Sequence, residues 1–167
     1  MIKMPVHLLI HFSASILAGL IIACINSWHD PLLIFTLAVL GGFLVDCDHL
    51  IEYYIAFGTK FRFDYFFKGY SFLKTDKFYL ILHAWEICLL LPLFFLVDYK
   101  VGLFISAFNL GLFFHLVSDV FINHIALASY SLTYRFLHKF RMKELVSQTL
   151  YQEHIREQAI LRKKGII

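Results

Sequence analysis

Histidines and acidic residues recur in this sequence as pairs spaced three or four positions apart. The pairs are His7 and His11, Asp46 and His49, His83 and Glu86, and His115 and Asp119. Residues at this spacing share one face of an α-helix, so each pair would point in one direction. Helix bundles build dinuclear metal sites from such inward-facing pairs. Imidazole and carboxylate together suit a divalent metal, so the pattern predicts one or two ions, with zinc favoured over iron or manganese.

Each polar residue of the pattern has an expected role. The predicted metal ligands are His7, His11, Asp48, His49, His83, His115 and Asp119. Asp46 and Glu86 are expected as further ligands or as a general base. Metal-bound imidazoles need a partner at their second nitrogen, and Asn123 and Glu52 are the candidates for orienting them.

The composition is too apolar for an ordinary soluble domain. Of the 167 residues, 60% are hydrophobic and 16% are charged, and the mean hydropathy is +0.72. Soluble domains average about 45–50% apolar and about 25% charged residues. The three cysteines lie scattered in apolar runs, which excludes a secreted disulfide framework. The composition therefore predicts an integral membrane protein of the all-α class.

Four segments reach the roughly 20 apolar residues that a spanning helix needs. They are about Val6–Ile25, Pro31–Phe57, Phe78–Val97 and Val101–Ala128. Residues 58–77 form a basic, aromatic loop, and the apolar spacing from Tyr134 to about Lys164 is typical of an amphipathic interfacial helix. The predicted fold is a four-helix transmembrane bundle over residues 1–129, followed by a cytoplasmic interfacial helix and basic tail over residues 130–167.

The distribution of lysine and arginine predicts the direction of the spans. The turn after the first span has no basic residue and the turn after the third has only Lys100, whereas the middle loop has five and the C-terminal segment has eight. Cytoplasmic loops carry the excess of basic residues, so both termini are expected in the cytoplasm. In that orientation the polar residues of all four spans lie in the cytoplasmic third of the bilayer.

A metal at this depth would be placed for hydrolysis. A bound divalent ion lowers the pKa of its water toward neutrality and so supplies a nucleophile. The esters within reach are those of membrane lipids or lipid-linked intermediates, and the basic loop suits an anionic headgroup. The sequence therefore predicts a membrane-bound phosphoester hydrolase whose partner is lipid, with no role for nucleic acid.

Three pieces of the sequence resemble one known family. HLLIHFSASILAG, GGFLVDCDH and FFHLVSDVFIN are similar to segments of the bacterial inner-membrane family of metal-dependent hydrolases (YdjM-like). The resemblance implies hydrolysis at the bacterial inner membrane. The residues that it marks are His7, Asp46, Asp48, His49, His115 and Asp119.

The chain departs from that family at two positions. Val45 replaces a common proline before the first aspartate, and Ala84 follows His83 where the family commonly has serine. We expect Glu86 to compensate in such a divergent branch.

Two other functions fit part of the pattern. Intramembrane histidines and carboxylates also form proton relays and ion paths, so a small transporter subunit is the second interpretation. The apolar outer halves of the spans argue against it. Polar residues also hydrogen-bond helices together, so a metal-stabilised scaffold without catalysis is the third interpretation.

Overall fold

The chain is all-helical over the residues that the computed structural model describes, which are 4–26, 29–96 and 98–167. The α-helices of this described part are α1 Met4–Ile25, α2 Pro31–Phe43, α3 Asp48–Phe57, α4 Phe63–Phe67, α5 Tyr70–Thr75, α6 Trp85–Leu90, α7 Tyr99–Asn123, α8 Leu132–Leu137, α9 Met142–Leu145 and α10 Gln148–Lys163. Short 3₁₀ turns cover Leu44–Cys47, Leu91–Leu96 and Leu127–Tyr130. The predicted all-α class is confirmed.

The helices group into two compact units that alternate along the chain. Unit 1 contains Met1–Val45 and Leu82–His124, and unit 2 contains Asp46–Ile81 and Ile125–Ile167. Residues 46–81 therefore group with the C-terminal segment, whereas the sequence pattern grouped them with the spans.

Three helices are long and apolar enough to cross a membrane: Val6–Ile25, Pro31–Phe57 and Tyr99–Asn123. Their outward surfaces carry large apolar side chains, with Leu32 81% exposed and Phe121 72% exposed. Large apolar surface of this kind is unfavourable in water and is accommodated by acyl chains. These helices indicate a membrane protein and correspond to three of the four predicted spans.

The prediction of a long helix over Phe78–Val97 is wrong. Residues 78–84 are not helical, and α6 has only six residues before a 3₁₀ turn continues to Leu96; Val97 itself lies outside the described residues. A hydropathy pattern records how apolar a segment is, and it does not record where the backbone hydrogen bonds go.

Tertiary hydrogen bonds in unit 2 explain why the first part of this segment is not helical. The Phe78 amide donates to the Phe140 carbonyl at 2.8 Å, and the buried Arg135 guanidinium donates to the Leu80 carbonyl. These backbone groups are satisfied by residues far away in sequence, so a helix is not needed to pair them.

Proline explains the end of α6. Pro92 has no amide hydrogen, so it cannot donate to the carbonyl of Cys88 four residues earlier. That carbonyl instead accepts a hydrogen bond of 3.1 Å from the Asn109 side chain on α7. The Asn109 side chain thus replaces the backbone hydrogen bond that Pro92 removes.

Small residues bring α1, α2 and α7 together in unit 1. The buried core of these helices is formed by Ala18, Ile22, Ala23, Ile34, Ala38, Leu103 and Ala107. A Cβ atom on Gly111 of α7 would lie 2.1 Å from the Ala38 carbonyl oxygen of α2, and one on Gly41 would lie 1.9 Å from the Phe108 carbonyl oxygen. Close backbone approach through small residues is how membrane helices associate without a hydrophobic driving force.

The C-terminal segment is not the single helix that the sequence predicts from Tyr134 to Lys164. Lys139 and Phe140 adopt positive φ angles and separate α8 from α9, and Ser147 begins α10 by accepting a hydrogen bond from the Leu150 amide. Inside unit 2, α10 is anchored by Gln158, which donates to the Leu73 carbonyl at 2.8 Å.

We expect Gly111→Val to destabilise unit 1, because its side chain collides with backbone that cannot rotate away. Overpacking of this kind costs about 1–3 kcal/mol, which would lower the thermal midpoint of the detergent-solubilised protein. Cys24→Val, which introduces the same side chain at an exposed position of α1, is the control and should leave the midpoint nearly unchanged. Equal midpoints for Gly111→Val and the wild type would contradict the close packing.

We also expect an acid-sensitive unit 2. Burial lowers the pKa of His154, and the nearby Asp76 carboxylate, 3.1 Å from its Nε2, opposes that shift only in part. The unfolded chain therefore binds a proton more readily than the folded chain, so stability falls as the pH drops below about 6.5. The thermal midpoint should fall more between pH 7.5 and 5.5 for the wild type than for His154→Gln, while His138→Gln should behave as the wild type. An equal fall in all three proteins would remove His154 as the cause.

Candidate metal centre

Five of the predicted site residues converge in unit 1. They are His7 and His11 of α1, His83 of the segment before α6, and His115 and Asp119 of α7. His11, His83 and His115 are each 1% exposed, and Asp119 is 5% exposed. These five predicted residues thus lie together in one cluster.

The two imidazoles of α1 face one oxygen of the Asp119 carboxylate. His7 Nε2 lies 3.4 Å from Asp119 Oδ1, and His11 Nε2 lies 3.3 Å from the same atom. The two Nε2 atoms are 3.2 Å apart, as expected for histidines four residues apart on one helix face.

The other two imidazoles face the second oxygen of that carboxylate. Asp119 Oδ2 lies 3.5 Å from His83 Nε2 and 3.4 Å from His115 Nε2, and these two nitrogens are 3.2 Å apart. All four imidazoles thus direct Nε2 toward a single buried carboxylate.

A backbone carbonyl determines which nitrogen of His115 carries the proton. Nδ1 of His115 lies 2.7 Å from the carbonyl oxygen of Gly42 on α2, so Nδ1 is the donor. In the neutral ring, Nε2 then presents a lone pair toward the carboxylate oxygen, and a metal ion or a proton between the two atoms would stabilise this contact. Hydrogen bonding of Nδ1 to a carbonyl is also how proteins orient a metal-binding histidine.

The spacing of the ligand atoms fits a metal ion. Tetrahedral zinc with bonds of about 2.0–2.1 Å holds its ligand atoms about 3.3–3.4 Å from one another. The distances among the Nε2 and carboxylate atoms are 3.2–3.5 Å, longer than most hydrogen bonds of these groups. These histidine and aspartate groups could therefore hold a metal ion.

Four predicted site residues, one of them Glu52, belong to unit 2. The carboxylate of Asp46 lies 3.7 Å from His49 Nε2, so the predicted pair at this spacing is present. Both side chains are half-buried, and the His49 ring packs edge-on against Phe72. Asp48 begins α3 and is 2% exposed.

The remaining predicted residues differ in how they are placed. Glu52 is fully buried in unit 2 and accepts a hydrogen bond of 3.3 Å from the Tyr79 amide. Asn123 is exposed at the end of α7. His83 precedes the start of α6, so the expectation that it shares a helix face with Glu86 is wrong.

Sequence reasoning missed two groups that position the histidines. One is the Gly42 carbonyl described above, and the other is the buried Ser15 hydroxyl, which donates to the His11 carbonyl at 2.7 Å. A Cβ atom on Gly42 would lie 1.9 Å from Ser15 Oγ. The adjacent glycines in GGFLVDCDH were the available signal, since paired glycines inside a helix indicate close approach of another backbone.

We expect Gly42→Val to weaken metal binding without removing a ligand. The new side chain would displace the Ser15 hydroxyl and move the carbonyl that orients His115. Loss of such an orienting contact typically lowers metal affinity about 10–100-fold, which competition with a chromophoric chelator would measure. Thr36→Val, on the exposed side of α2, should retain wild-type affinity. Unchanged affinity in Gly42→Val would show that this contact does not position His115.

Comparison with known proteins gives no functional assignment. No family model, curated protein or solved structure matches the chain. The chemistry of this centre is therefore inferred from its own side chains.

Proposed function

We propose that this protein is a membrane-bound, metal-dependent hydrolase that cleaves a phosphoester of a lipid or a lipid-linked substrate at the cytoplasmic face of a bacterial inner membrane. The observation that carries the proposal is the convergence of four imidazole nitrogens on the buried Asp119 carboxylate in a unit built from apolar helices. Placing this many ionisable groups among apolar helices is costly, and residues retained at such a cost are functional by default.

The chain's own residues would bind and orient the ion. The four histidines supply neutral ligands, and Asp119 supplies a negative charge. When bound, a divalent ion supplies Lewis acidity toward a phosphoryl oxygen and a water of lowered pKa. Since one carboxylate does not neutralise the ion, the centre favours an anionic ester over a neutral one.

The proposed location follows from the chain direction and from the resemblance to the inner-membrane family. His7 lies near the start of α1, and Asp119 lies near the end of α7. The excess of basic residues in the middle loop and the C-terminal segment supports a cytoplasmic location for both termini, and in that orientation these two helix ends lie on the same side.

Unit 2 carries features that suit anionic headgroups. Its basic residues lie against aromatic rings, as in Arg62 over Tyr65 at 3.8 Å and Lys74 over Phe57 at 4.6 Å. Aromatic and basic residues together are typical of the membrane interface. In the proposal, this unit and the exposed apolar side chains of α10, including Ile160, contact the cytoplasmic surface of the bilayer.

The proposed fourth membrane element is α6 with its 3₁₀ turn. The apolar helical stretch Trp85–Phe94 would extend only about 15 Å, half of the roughly 30 Å hydrocarbon layer. It would therefore complete the bundle as a partial helix. Its preceding segment is not helical, and at membrane depth such backbone is tolerated when protein buries it; Ala84 of that segment is fully buried.

Turnover of a lipid phosphate panel tests the proposal. We expect the metal-loaded wild type to release product and Asp119→Asn to lose at least about 100-fold, since loss of a ligand should exceed the effect of losing an orienting contact. Asp30→Asn is the matched control, because Asp30 is an exposed carboxylate in the turn before α2 whose side chain makes no capping hydrogen bond, and it should leave turnover unchanged.

The outcomes separate the three interpretations of the centre. Metal bound by the wild type but no turnover on any phosphoester would favour the metal-stabilised scaffold and refute the hydrolase. Absence of bound metal together with proton flux in proteoliposomes would favour the ion path.

A further inference from the structure

We infer that the centre holds two metal ions, with the Asp119 carboxylate bridging them through its two oxygens. The inference rests on the metal-binding part of the proposed function and goes beyond it in the number of ions and the role of each ligand. One ion would be held by His7, His11 and Asp119 Oδ1, and the other by His83, His115 and Asp119 Oδ2.

The first support is that the five side chains form two groups of three, which share Asp119. Among the described residues of unit 1, the ligand atoms that lie within 4.8 Å of one another form the groups His7, His11 and Asp119, and His83, His115 and Asp119. Each histidine pair faces a different oxygen of the carboxylate. A single ion bound by all five residues would gather the four nitrogens around one point, which is a different arrangement.

The second support is the shape of each group. In the first group the three ligand atoms are separated by 3.2, 3.3 and 3.4 Å, and in the second by 3.2, 3.4 and 3.5 Å. Each set is a nearly equilateral triangle with the edge length that three ligands of a tetrahedral ion define. Catalytic zinc sites have three protein ligands and leave the fourth position open.

The third support is that the two pairs are adjacent. The His11 and His115 rings stack with their centroids 4.0 Å apart, so one pair lies directly beside the other. Two-ion hydrolytic sites keep their ions about 3.5–4 Å apart and bind both the attacking and the leaving oxygen of a phosphoester.

Two ions also specify the class of substrate more narrowly. A single carboxylate among neutral imidazoles leaves most of the charge of two divalent ions uncompensated within unit 1. An anionic group with two oxygens, such as a phosphate ester, would neutralise that charge and occupy both open positions. The expected substrate is therefore a phosphomonoester or phosphodiester, and carboxylic esters should be poor substrates.

Cobalt binding to the full-length, detergent-purified protein tests the number of ions. After chelator treatment and dialysis against Co²⁺, elemental analysis should give two ions per chain, and the electron paramagnetic resonance spectrum should show magnetic coupling between them. The double variant His7→Ala/His11→Ala should retain one uncoupled ion, and the double variant His83→Ala/His115→Ala should also retain one.

Controls separate loss of a ligand from loss of the fold. His138→Ala removes a histidine of unit 2 and should still bind two coupled ions. Helical content by circular dichroism identifies any variant that fails to fold, and His11→Gln, a milder change, then serves in place of the double variant and should lower the ratio to one.

Each outcome bears on the inference. One ion per wild-type chain, lost completely in either double variant, would overturn it while leaving a one-ion hydrolase intact. Two ions without magnetic coupling would overturn the bridging role of Asp119. Two coupled ions in a protein that hydrolyses no phosphoester would support the two-ion centre and refute the proposed activity.

Discussion

Burial of the Asp119 carboxylate is the constraint on which the arrangement of unit 1 depends. Its side chain is 7% exposed, and the hydrophobic core of the surrounding helices is formed by alanine, isoleucine and leucine side chains. An ionised carboxylate in such surroundings is costly unless positive charge lies beside it. The Nε2 atoms of the four imidazoles surround it, and the Gly42 carbonyl accepts from Nδ1 of His115. Positive charge at this position, from a metal ion or from a protonated imidazole, would offset the cost of burying the carboxylate.

Close helix packing follows from the same constraint. The imidazole of His115 reaches the Gly42 carbonyl only because α2 and α7 approach each other at glycine positions where a Cβ atom would collide. Larger residues there would separate the helices and leave His115 without a fixed tautomer. The small residues thus define both the packing of the helices and the protonation pattern of a ligand.

Local spacing made part of this centre predictable from the sequence, and tertiary hydrogen bonds made the rest unpredictable. His7 with His11, and His115 with Asp119, are pairs within one helix, so their common direction follows from helix geometry alone. The prediction of a third long span was wrong because hydrogen bonds from residues 55 or more positions away, including that of Arg135 to the Leu80 carbonyl, replace the hydrogen bonds of a helix. The prediction of a continuous C-terminal helix was wrong because positive φ angles at Lys139 and Phe140 interrupt it, and neither residue type indicates such a conformation.

The prediction that His83 and Glu86 share a helix face was wrong for a structural reason. A histidine within a continuous helix has its direction fixed by that helix, whereas His83 lies in the short non-helical segment just before α6. From there its Nε2 reaches both His115 and Asp119, which belong to a different helix. Broken helices in membrane proteins place binding groups in this way, because irregular backbone is tolerated only where protein surrounds it. α1 provides one histidine pair, and α7 provides the acid and a further histidine. The non-helical segment brings His83 to this cluster, whereas a straight third span would have directed its side chain elsewhere.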